Sequence, residues 1–202
     1  SIMAEEIIEQ GYRELADTIL EHNPGVDLGR VRAAFELADR AHSGQKRKAG
    51  TPYVTHCVAA AQICAEMGLD EDSIVAALLH DCIEDTAITH EDIARQFGAE
   101  VADIVEGVTK LTRVQFTSRE DEQMENLRKM LMAMAKDIRV ILIKIADRLH
   151  NMRTMEYMVA QKQLEKSLET MEIYAPIAHR LGLQKVKWEL EDLSLKYLDP
   201  DG

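Results

Sequence analysis

The chain has 202 residues, of which 46% are hydrophobic, and a formal net charge of −12 at pH 7. This length and apolar content allow roughly 70% of the unfolded surface to be buried, which excludes a natively disordered chain. The negative charge excludes general affinity for nucleic acid, because that affinity comes from clustered lysine and arginine. We therefore expect no direct nucleic-acid binding.

The sequence carries no sign of secretion or of membrane insertion. Its first ten residues, SIMAEEIIEQ, are typical of an acidic helix start rather than of a signal peptide. No apolar run approaches the ~18 residues that a membrane span requires. The three cysteines lack CxxC spacing, which argues against a disulfide framework or a thiolate zinc site. We expect a cytoplasmic protein.

Apolar residues recur at helical spacing along nearly the whole chain, while aromatic residues make up only 4% of it. The sequence therefore predicts an all-α fold of about ten helices. Thr89 and Asp92 have the spacing of a capping box. In chain order the predicted helices cover residues 5–21, 28–41, 56–67, 71–82, a short stretch ending at 97, 99–111, 122–135, 137–155, 160–180 and 183–198.

The stretch LLHDCIEDT, residues 78–86, places a histidine and three carboxylates directly after an apolar run. On a helix, positions three and four apart share a face, so His80, Asp81, Glu84 and Asp85 would form one polar cap. Burial of such groups without partners is costly. The cap is therefore either a helix end in water or a site for a cation.

A further carboxylate, Asp147, follows the apolar segment DIRVILIKIA, which predicts a deeply buried helix. Asn151 and Thr154 fall four and seven residues later on the same stripe, which indicates the wall of a pocket. The alternative is an internal salt bridge between Asp147 and Arg148 or Arg153.

His56 opens the predicted helix HCVAAAQICAEM. A single histidine there is most often a cap or a surface residue, but two histidines and two aspartates make a mixed ligand set that suits Mn²⁺, Fe²⁺ or Zn²⁺. The candidate ligands are His56, His80, Asp81 and Asp147. We interpret Cys57 and Cys82 as small core residues rather than as ligands of a Cys/His zinc site.

The order H…HD…D resembles the HD superfamily of metal-dependent phosphohydrolases. Longer segments resemble the hydrolase domain of RelA/SpoT homologues, the long bifunctional alarmone enzymes: AHSGQKRKAGTPYVTH, LLHDCIEDT, FGAEVADIVEGVTKL and MAKDIRVILIKIADRLHNMRT. The segment ETMEIYAPIAHRLGLQKVKWELEDLSLKYLDP resembles the link between hydrolase and synthetase in those proteins. The resemblance covers roughly residues 25 to 200.

This resemblance implies an HD-domain helical bundle with C-terminal linker helices. It divides the chain into an N-terminal helix at 1–24, the phosphohydrolase domain at 25–158, and helices at 159–202 that lead toward a synthetase domain absent from this chain. It also implies intramolecular coupling to that domain. Residues 112–121 lack a core pattern, and we expect this loop to change conformation with nucleotide state.

The implied activity is Mn²⁺-dependent hydrolysis of the 3′-diphosphate of (p)ppGpp to GDP or GTP and pyrophosphate, in the stringent response. The family's metal ligands carry over onto the four candidate ligands given above. Glu84 and Asp85 match the family's ED pair, which positions or deprotonates the attacking water.

Four further residues match family positions that bind the nucleotide. Arg47 and Lys48, in a basic turn of an acidic protein, match a pair that lies against the base, and Asn151 and Thr154 match positions that hold the nucleoside. The chain departs from many relatives at Cys57, Cys82 and Ala49, where Pro, Val and Ser are common. None of these departures removes a ligand.

Two other functions are compatible with these motifs. One is an HD-fold hydrolase of another nucleotide, and the other is a non-catalytic module that senses alarmone. The intact HDxxED sequence, residues 80–85, argues against the second of these.

Overall fold

The computed structural model describes residues 1–113 and 120–201, without the side chains of 120–123 and 126. Helices joined by short turns account for the described architecture, apart from one isolated β-bridge between Lys46 and Pro52. The predicted all-α fold is confirmed. In chain order the helices are α1 (Ile2–His22), α2 (Leu28–Ala41), α3 (Val54–Glu66), α4 (Glu71–Leu79), α5 (Cys82–Asp85), α6 (His90–Phe97), α7 (Ala99–Thr112), α8 (Glu120–Lys136), α9 (Ile138–Arg153), α10 (Ala160–Glu169), α11 (Ala175–Arg180) and α12 (Gln184–Leu198).

Two short helical segments complete the list. A 3₁₀ turn covers Met155–Tyr157, and a π-helical turn, Thr170–Tyr174, joins α10 to α11 without a break. Most of the predicted loop at 112–121 lies outside the described residues, which resume at 120. Among the described helices, none combines the length and the apolar content needed to cross a membrane.

The chain divides into two compact units, Ser1–Ala146 and Asp147–Gly202, here called unit 1 and unit 2. The division falls within α9, between Ala146 and Asp147. The domain boundaries predicted at residues 24 and 158 remain a prediction.

Helix starts in unit 1 follow from local capping. The Asp27 and Asp70 side chains accept hydrogen bonds from the backbone N–H groups of Arg30 and Ser73. The capping box predicted at α6 is confirmed, because Thr89 and Asp92 each accept a hydrogen bond from the backbone N–H of the other. These side chains fix where α2, α4 and α6 begin.

Helix α4 lies at the centre of unit 1. Seven consecutive residues, 73–79, are buried on it, so the helix is apolar on every side. It packs against α2, α3 and α7, while α1 packs on α3 and α6 on α7. Because α3 and α4 are both core helices, the residues at the start of α3 and at the end of α4 are held on a rigid base.

Arg139, at the start of α9, ties three segments of unit 1 together. Its guanidinium lies 2.9 Å from an oxygen of Asp70, 2.6 Å from one of Glu100 and 2.9 Å from one of Asp137. Hydrogen bonding to Arg139 holds the pKa of Asp137 below its usual value. These ion pairs fix the N-terminal end of α9 against the starts of α4 and α7.

Helices α7 and α9 approach each other closely at Gly107. A Cβ atom added there would lie 2.7 Å from Cγ2 of Val140, which is itself buried. We expect Gly107→Ala to lower the free energy of unfolding by about 1 kcal/mol net, because displacing a stiff core side chain costs more than alanine gains in helix propensity. Urea unfolding followed by circular dichroism measures the change.

The matched control for Gly107→Ala is the double variant Gly107→Ala/Val140→Ala. Shortening Val140 removes the obstructing methyl group, so the double variant should be more stable than the sum of the two single effects predicts. Strict additivity would show that the close contact has no energetic effect.

In unit 2, the run formed by α10, the π-helical turn and α11 packs against α12. Arg148, a cation on α9, is buried within unit 2, with only 4% of its surface exposed. The guanidinium pairs with Glu169, lies 3.2 Å from Oγ1 of Thr170, and stacks 4.5 Å from the ring centre of Tyr174. Arg148 therefore anchors the C-terminal half of α9 within unit 2.

Candidate metal centre

The histidine and aspartate of the LLHDCIEDT segment lie in a turn rather than on a continuous helix. The prediction of one helix over 71–82 is wrong at its end, since α4 stops at Leu79 and α5 starts at Cys82. His80 accounts for the change: its Nδ1 lies 2.6 Å from the carbonyl oxygen of Ala77, and its backbone N–H is also directed at this oxygen, which tightens the last turn. Asp81 then adopts φ −99° and ψ 0°.

The four predicted ligands come together. One ligand atom from each of His56, His80, Asp81 and Asp147 lies within 4.8 Å of the others. All four residues are buried, with exposed fractions of 1%, 1%, 9% and 6% in that order. His56 lies near the start of α3, His80 and Asp81 follow α4, and Asp147 is the α9 residue directly after Ala146.

The geometry of the histidines suits coordination. Because His80 Nδ1 is engaged by the Ala77 carbonyl group, Nε2 is the nitrogen left facing the cluster, 3.0 Å from Oδ2 of Asp81. His56 Nε2 lies 4.0 Å from the same oxygen, and the two imidazole rings meet edge to face at 5.4 Å. Both rings thus direct a nitrogen toward one carboxylate oxygen.

The donor chemistry fits a divalent metal ion. Two buried carboxylates and two imidazoles provide a nitrogen and oxygen set without thiolate, which suits Mn²⁺, Fe²⁺ or Zn²⁺. A divalent cation would offset the negative charge that the aspartates carry into the interior. HD-type metal binding is therefore compatible with the residues present.

The cysteines belong to the core, as predicted. Cys57, Cys64 and Cys82 are buried, and burial raises the pKa of Cys64 and of Cys82 to about 12. Thiols with such pKa values stay protonated at neutral pH and are poor metal ligands. Neither of the His/Asp/Glu clusters found among the described residues includes a cysteine.

The two predicted catalytic carboxylates lie on α5, exposed to solvent. Arg113, which follows α7, donates a hydrogen bond from Nε to Oε2 of Glu84 at 3.0 Å, and its Nη2 forms an ion pair with the same oxygen at 2.9 Å. Partial burial, with the nearby charges of Asp81 and Glu84, holds the pKa of Asp85 above its usual value. The pair thus contains one carboxylate fixed by a cation and one that retains its proton to a higher pH than an ordinary aspartate.

The predicted nucleotide-binding residues lie on two separate elements. Arg47 and Lys48 occupy a tight turn between α2 and α3, in which the Arg47 N–H donates to the Thr51 carbonyl group at 2.8 Å. Gly50 closes this turn with a φ of +88°, which is unfavourable for other residues. Asn151 and Thr154, in unit 2, are half-buried one and two helical turns beyond Asp147.

Sequence reasoning missed two residues beside the cluster. Tyr53 donates a 2.6 Å hydrogen bond from its hydroxyl to Oδ2 of Asp81. His42 is buried, and the centre of its ring lies 4.8 Å from that of the Tyr53 ring. The only local signal for Tyr53 was an aromatic residue three positions before a candidate ligand, in a chain with few aromatics.

A second cluster lies apart from this centre, between α6 and α7. His90 Nε2 is 2.8 Å from Oδ1 of Asp103 and 3.6 Å from Oε2 of Glu106, and all three side chains are partly exposed. The hydrogen bond to Asp103 raises the pKa of His90 above its ordinary value. The contacts of His90 with Asp103 and Glu106 therefore account for this cluster without a metal ion.

The His90 ring should titrate above pH 6.5 in the folded protein, and Asp103→Asn should lower this pKa. Because the folded pKa is the higher one, the contribution of His90 to stability is complete below the unfolded pKa and is lost as the pH rises through the folded pKa. NMR titration of the imidazole protons measures the pKa of His90 in wild type and in Asp103→Asn. An unchanged His90 pKa in Asp103→Asn would contradict the assignment.

Comparison with known proteins places the chain in a family. Residues 34–184 match the HD domain. The chain belongs to this family. The HD-domain chain is 53% identical over 180 residues to a probable GTP pyrophosphokinase of Mycobacterium leprae, covering 89% of this chain and 23% of that protein. It is 49% identical over 190 residues to the bifunctional (p)ppGpp synthase/hydrolase SpoT of Escherichia coli K12, covering 94% and 27%.

A solved structure is also similar to this HD domain. It is described as a metazoan orthologue of SpoT that hydrolyses ppGpp, and it is 28% identical, with a TM-score of 0.55 and coverage of 86% of this chain and 96% of the other. This similarity agrees with the all-α HD fold. The chain spans about a quarter of the length of the curated relatives that it matches.

Proposed function

We propose that this HD domain hydrolyses the 3′-diphosphate of (p)ppGpp in the cytoplasm, releasing pyrophosphate and GDP or GTP during the stringent response, with Mn²⁺ as its metal. The observation that carries the proposal is the buried His₂Asp₂ cluster followed one turn later by two exposed carboxylates. The names of the relatives support the substrate class, since several are called SpoT or guanosine-3′,5′-bis(diphosphate) 3′-pyrophosphohydrolase.

The metal would be held by the side chains of His56, His80, Asp81 and Asp147. When bound, a divalent ion supplies Lewis acidity, which offsets charge on phosphoryl oxygens and lowers the pKa of coordinated water. The protein contributes rigidity, because α3 and α4 are core helices and the His80 ring is fixed by the Ala77 carbonyl group. Little reorganisation is then needed when a substrate arrives.

Glu84 and Asp85 would manage the water and its proton. Water attacks the phosphorus bonded to the 3′ oxygen, the P–O bond to the ribose breaks, and the departing 3′ oxygen takes up a proton. Arg113 holds the Glu84 carboxylate by a hydrogen bond from Nε and an ion pair through Nη2, so this side chain is suited to orient the water. Asp85, on the same short helix, is the second candidate for proton transfer.

The substrate would be recognised by positive charge and by polar groups. Arg47 and Lys48 lie in a turn whose backbone is closed by hydrogen bonds, and a guanidinium matches phosphate geometry. Asn151 and Thr154 would hold the nucleoside. These residues offset locally the phosphate charge that a protein with a net charge of −12 would otherwise repel.

Purified protein incubated with Mn²⁺ and guanosine tetraphosphate tests the proposal. Release of pyrophosphate and GDP in equal amounts is the expected result. Binding of the nucleotide without cleavage would favour an alarmone-sensing module, and preferential cleavage of another nucleotide would favour a different HD hydrolase. Some relatives are named GTP pyrophosphokinase, so formation of guanosine tetraphosphate from ATP and GDP is measured in parallel.

A further inference from the structure

Tyr53 connects the basic turn to the candidate metal centre. Its hydroxyl donates to Oδ2 of Asp81 at 2.6 Å, and this oxygen is also the one nearest Nε2 of His80 and of His56. The ring of Tyr53 lies 5.7 Å from that of His56. One side chain outside the ligand set is therefore in contact with the carboxylate on which the cluster converges.

Both the backbone and the ring of Tyr53 are held by neighbouring residues. Its backbone N–H donates to the carbonyl group of Gln45 at 2.9 Å, and its ring packs on the buried ring of His42 at 4.8 Å. The Gln45 side chain lies 3.0 Å from His42 Nδ1 and donates to the carbonyl oxygen of Asp85 at 3.1 Å. His42 and Gln45 thus form a frame that holds Tyr53.

We propose that Tyr53 is a positioning residue whose hydroxyl orients the Asp81 carboxylate for the metal, and that His42 and Gln45 hold Tyr53 for this task. The inference rests on the metal centre of the proposed function. A carboxylate on a short side chain can rotate, and a ligand that must be reoriented on binding loses affinity. Hydrogen-bond partners of metal ligands typically change metal affinity by about 10- to 100-fold when removed.

Gln45 and Tyr53 also join the basic turn to Asp81 and to α5. Arg47 and Lys48 lie in the turn between Gln45 and Tyr53, and Gln45 is bonded to the backbone of Asp85. The turn proposed to bind phosphate, the metal ligand Asp81 and the catalytic helix α5 are therefore joined through two side chains. Tyr53 makes the contact with the candidate metal centre, through its hydrogen bond to Asp81.

The test compares wild type with Tyr53→Phe, which keeps the ring and removes only the hydroxyl. The matched control is Tyr12→Phe, because Tyr12 is a buried tyrosine of α1 whose hydroxyl lies 3.4 Å from the Leu28 carbonyl oxygen. Mn²⁺ is the probe, and the EPR signal of free Mn²⁺ gives the Kd of each protein. The melting temperature of the metal-free proteins is measured beside it.

Tyr53→Phe is expected to raise the Kd for Mn²⁺ by about 10- to 100-fold with little change in the metal-free melting temperature, while Tyr12→Phe keeps the wild-type Kd. A Kd within twofold of wild type in Tyr53→Phe would overturn the inference and leave the metal centre intact. Equal weakening of Mn²⁺ binding in Tyr53→Phe and Tyr12→Phe would indicate general destabilisation and would also overturn the inference.

The outcomes separate this inference from the proposed function. If wild type takes up no Mn²⁺, both fail together. If wild type binds Mn²⁺ and Tyr53→Phe binds it weakly, but guanosine tetraphosphate is not cleaved, the inference stands and the proposed hydrolysis fails.

Discussion

Replacing Asp81 by alanine is expected to reduce pyrophosphate release by at least about 1000-fold, equivalent to about 4 kcal/mol of transition-state stabilisation. Asp81 is the residue on which the cluster converges, with Nε2 of His80 at 3.0 Å and the Tyr53 hydroxyl at 2.6 Å from the same oxygen. Its loss removes a negatively charged side chain from the buried candidate metal centre. The rate of pyrophosphate release with saturating Mn²⁺ measures the effect.

Asp17→Ala is the control for Asp81→Ala, because Asp17 is an exposed carboxylate on α1. It should hydrolyse the nucleotide at the wild-type rate. Circular dichroism must show that Asp81→Ala retains its helices, and Mn²⁺ titration should show weakened binding. Substantial hydrolysis by a folded Asp81→Ala protein would exclude this aspartate as a necessary ligand.

Replacing Glu169 by alanine should be the most destabilising change in unit 2. The variant leaves the Arg148 guanidinium buried, with 4% of its surface exposed, without its carboxylate partner. Removal of one member of a buried ion pair costs about 3–5 kcal/mol. Trp188 is the one tryptophan of the sequence and lies on α12, so its fluorescence in urea reports the unfolding of this unit.

Two further variants test the cause of this destabilisation. Glu165→Ala removes an exposed carboxylate one turn earlier on α10 and should leave the unfolding midpoint nearly unchanged. Glu169→Ala combined with Arg148→Met should recover part of the lost stability, because an apolar side chain needs no ionic partner. If the double variant is no more stable than Glu169→Ala, the unpaired charge is not the cause.

The parts of the structure that depend on local sequence could be predicted. Helical spacing of apolar residues predicted the all-α fold, and the spacing of Thr89 and Asp92 predicted their capping box. The four candidate ligands followed from residue types in a recognised order, and the structure gathers them within 4.8 Å. Their role as metal ligands stays a prediction.

The features that were missed depend on side chains far apart in sequence or on local competition for hydrogen bonds. Tyr53 and Asp81 are 28 residues apart, and Arg113 and Glu84 are 29 apart, so no periodicity relates them. The end of α4 was predicted wrongly because Cys82 and Ile83 continue the apolar spacing beyond Leu79, while the interruption comes from the bond between His80 and Ala77. Patterns of hydrophobicity contain no information on such polar contacts.

The anchoring of Arg148 sets a lower limit on how much of this protein can be expressed as a separate piece. A fragment ending at residue 158 would include all four candidate ligands, but it would lack Glu169, Thr170 and Tyr174, which surround the Arg148 guanidinium. The Arg148 guanidinium, next to Asp147 in the chain, would then lack the contacts that these three residues provide. The shortest fragment useful for biochemistry therefore extends at least through the π-helical turn, even though no candidate ligand lies beyond α9.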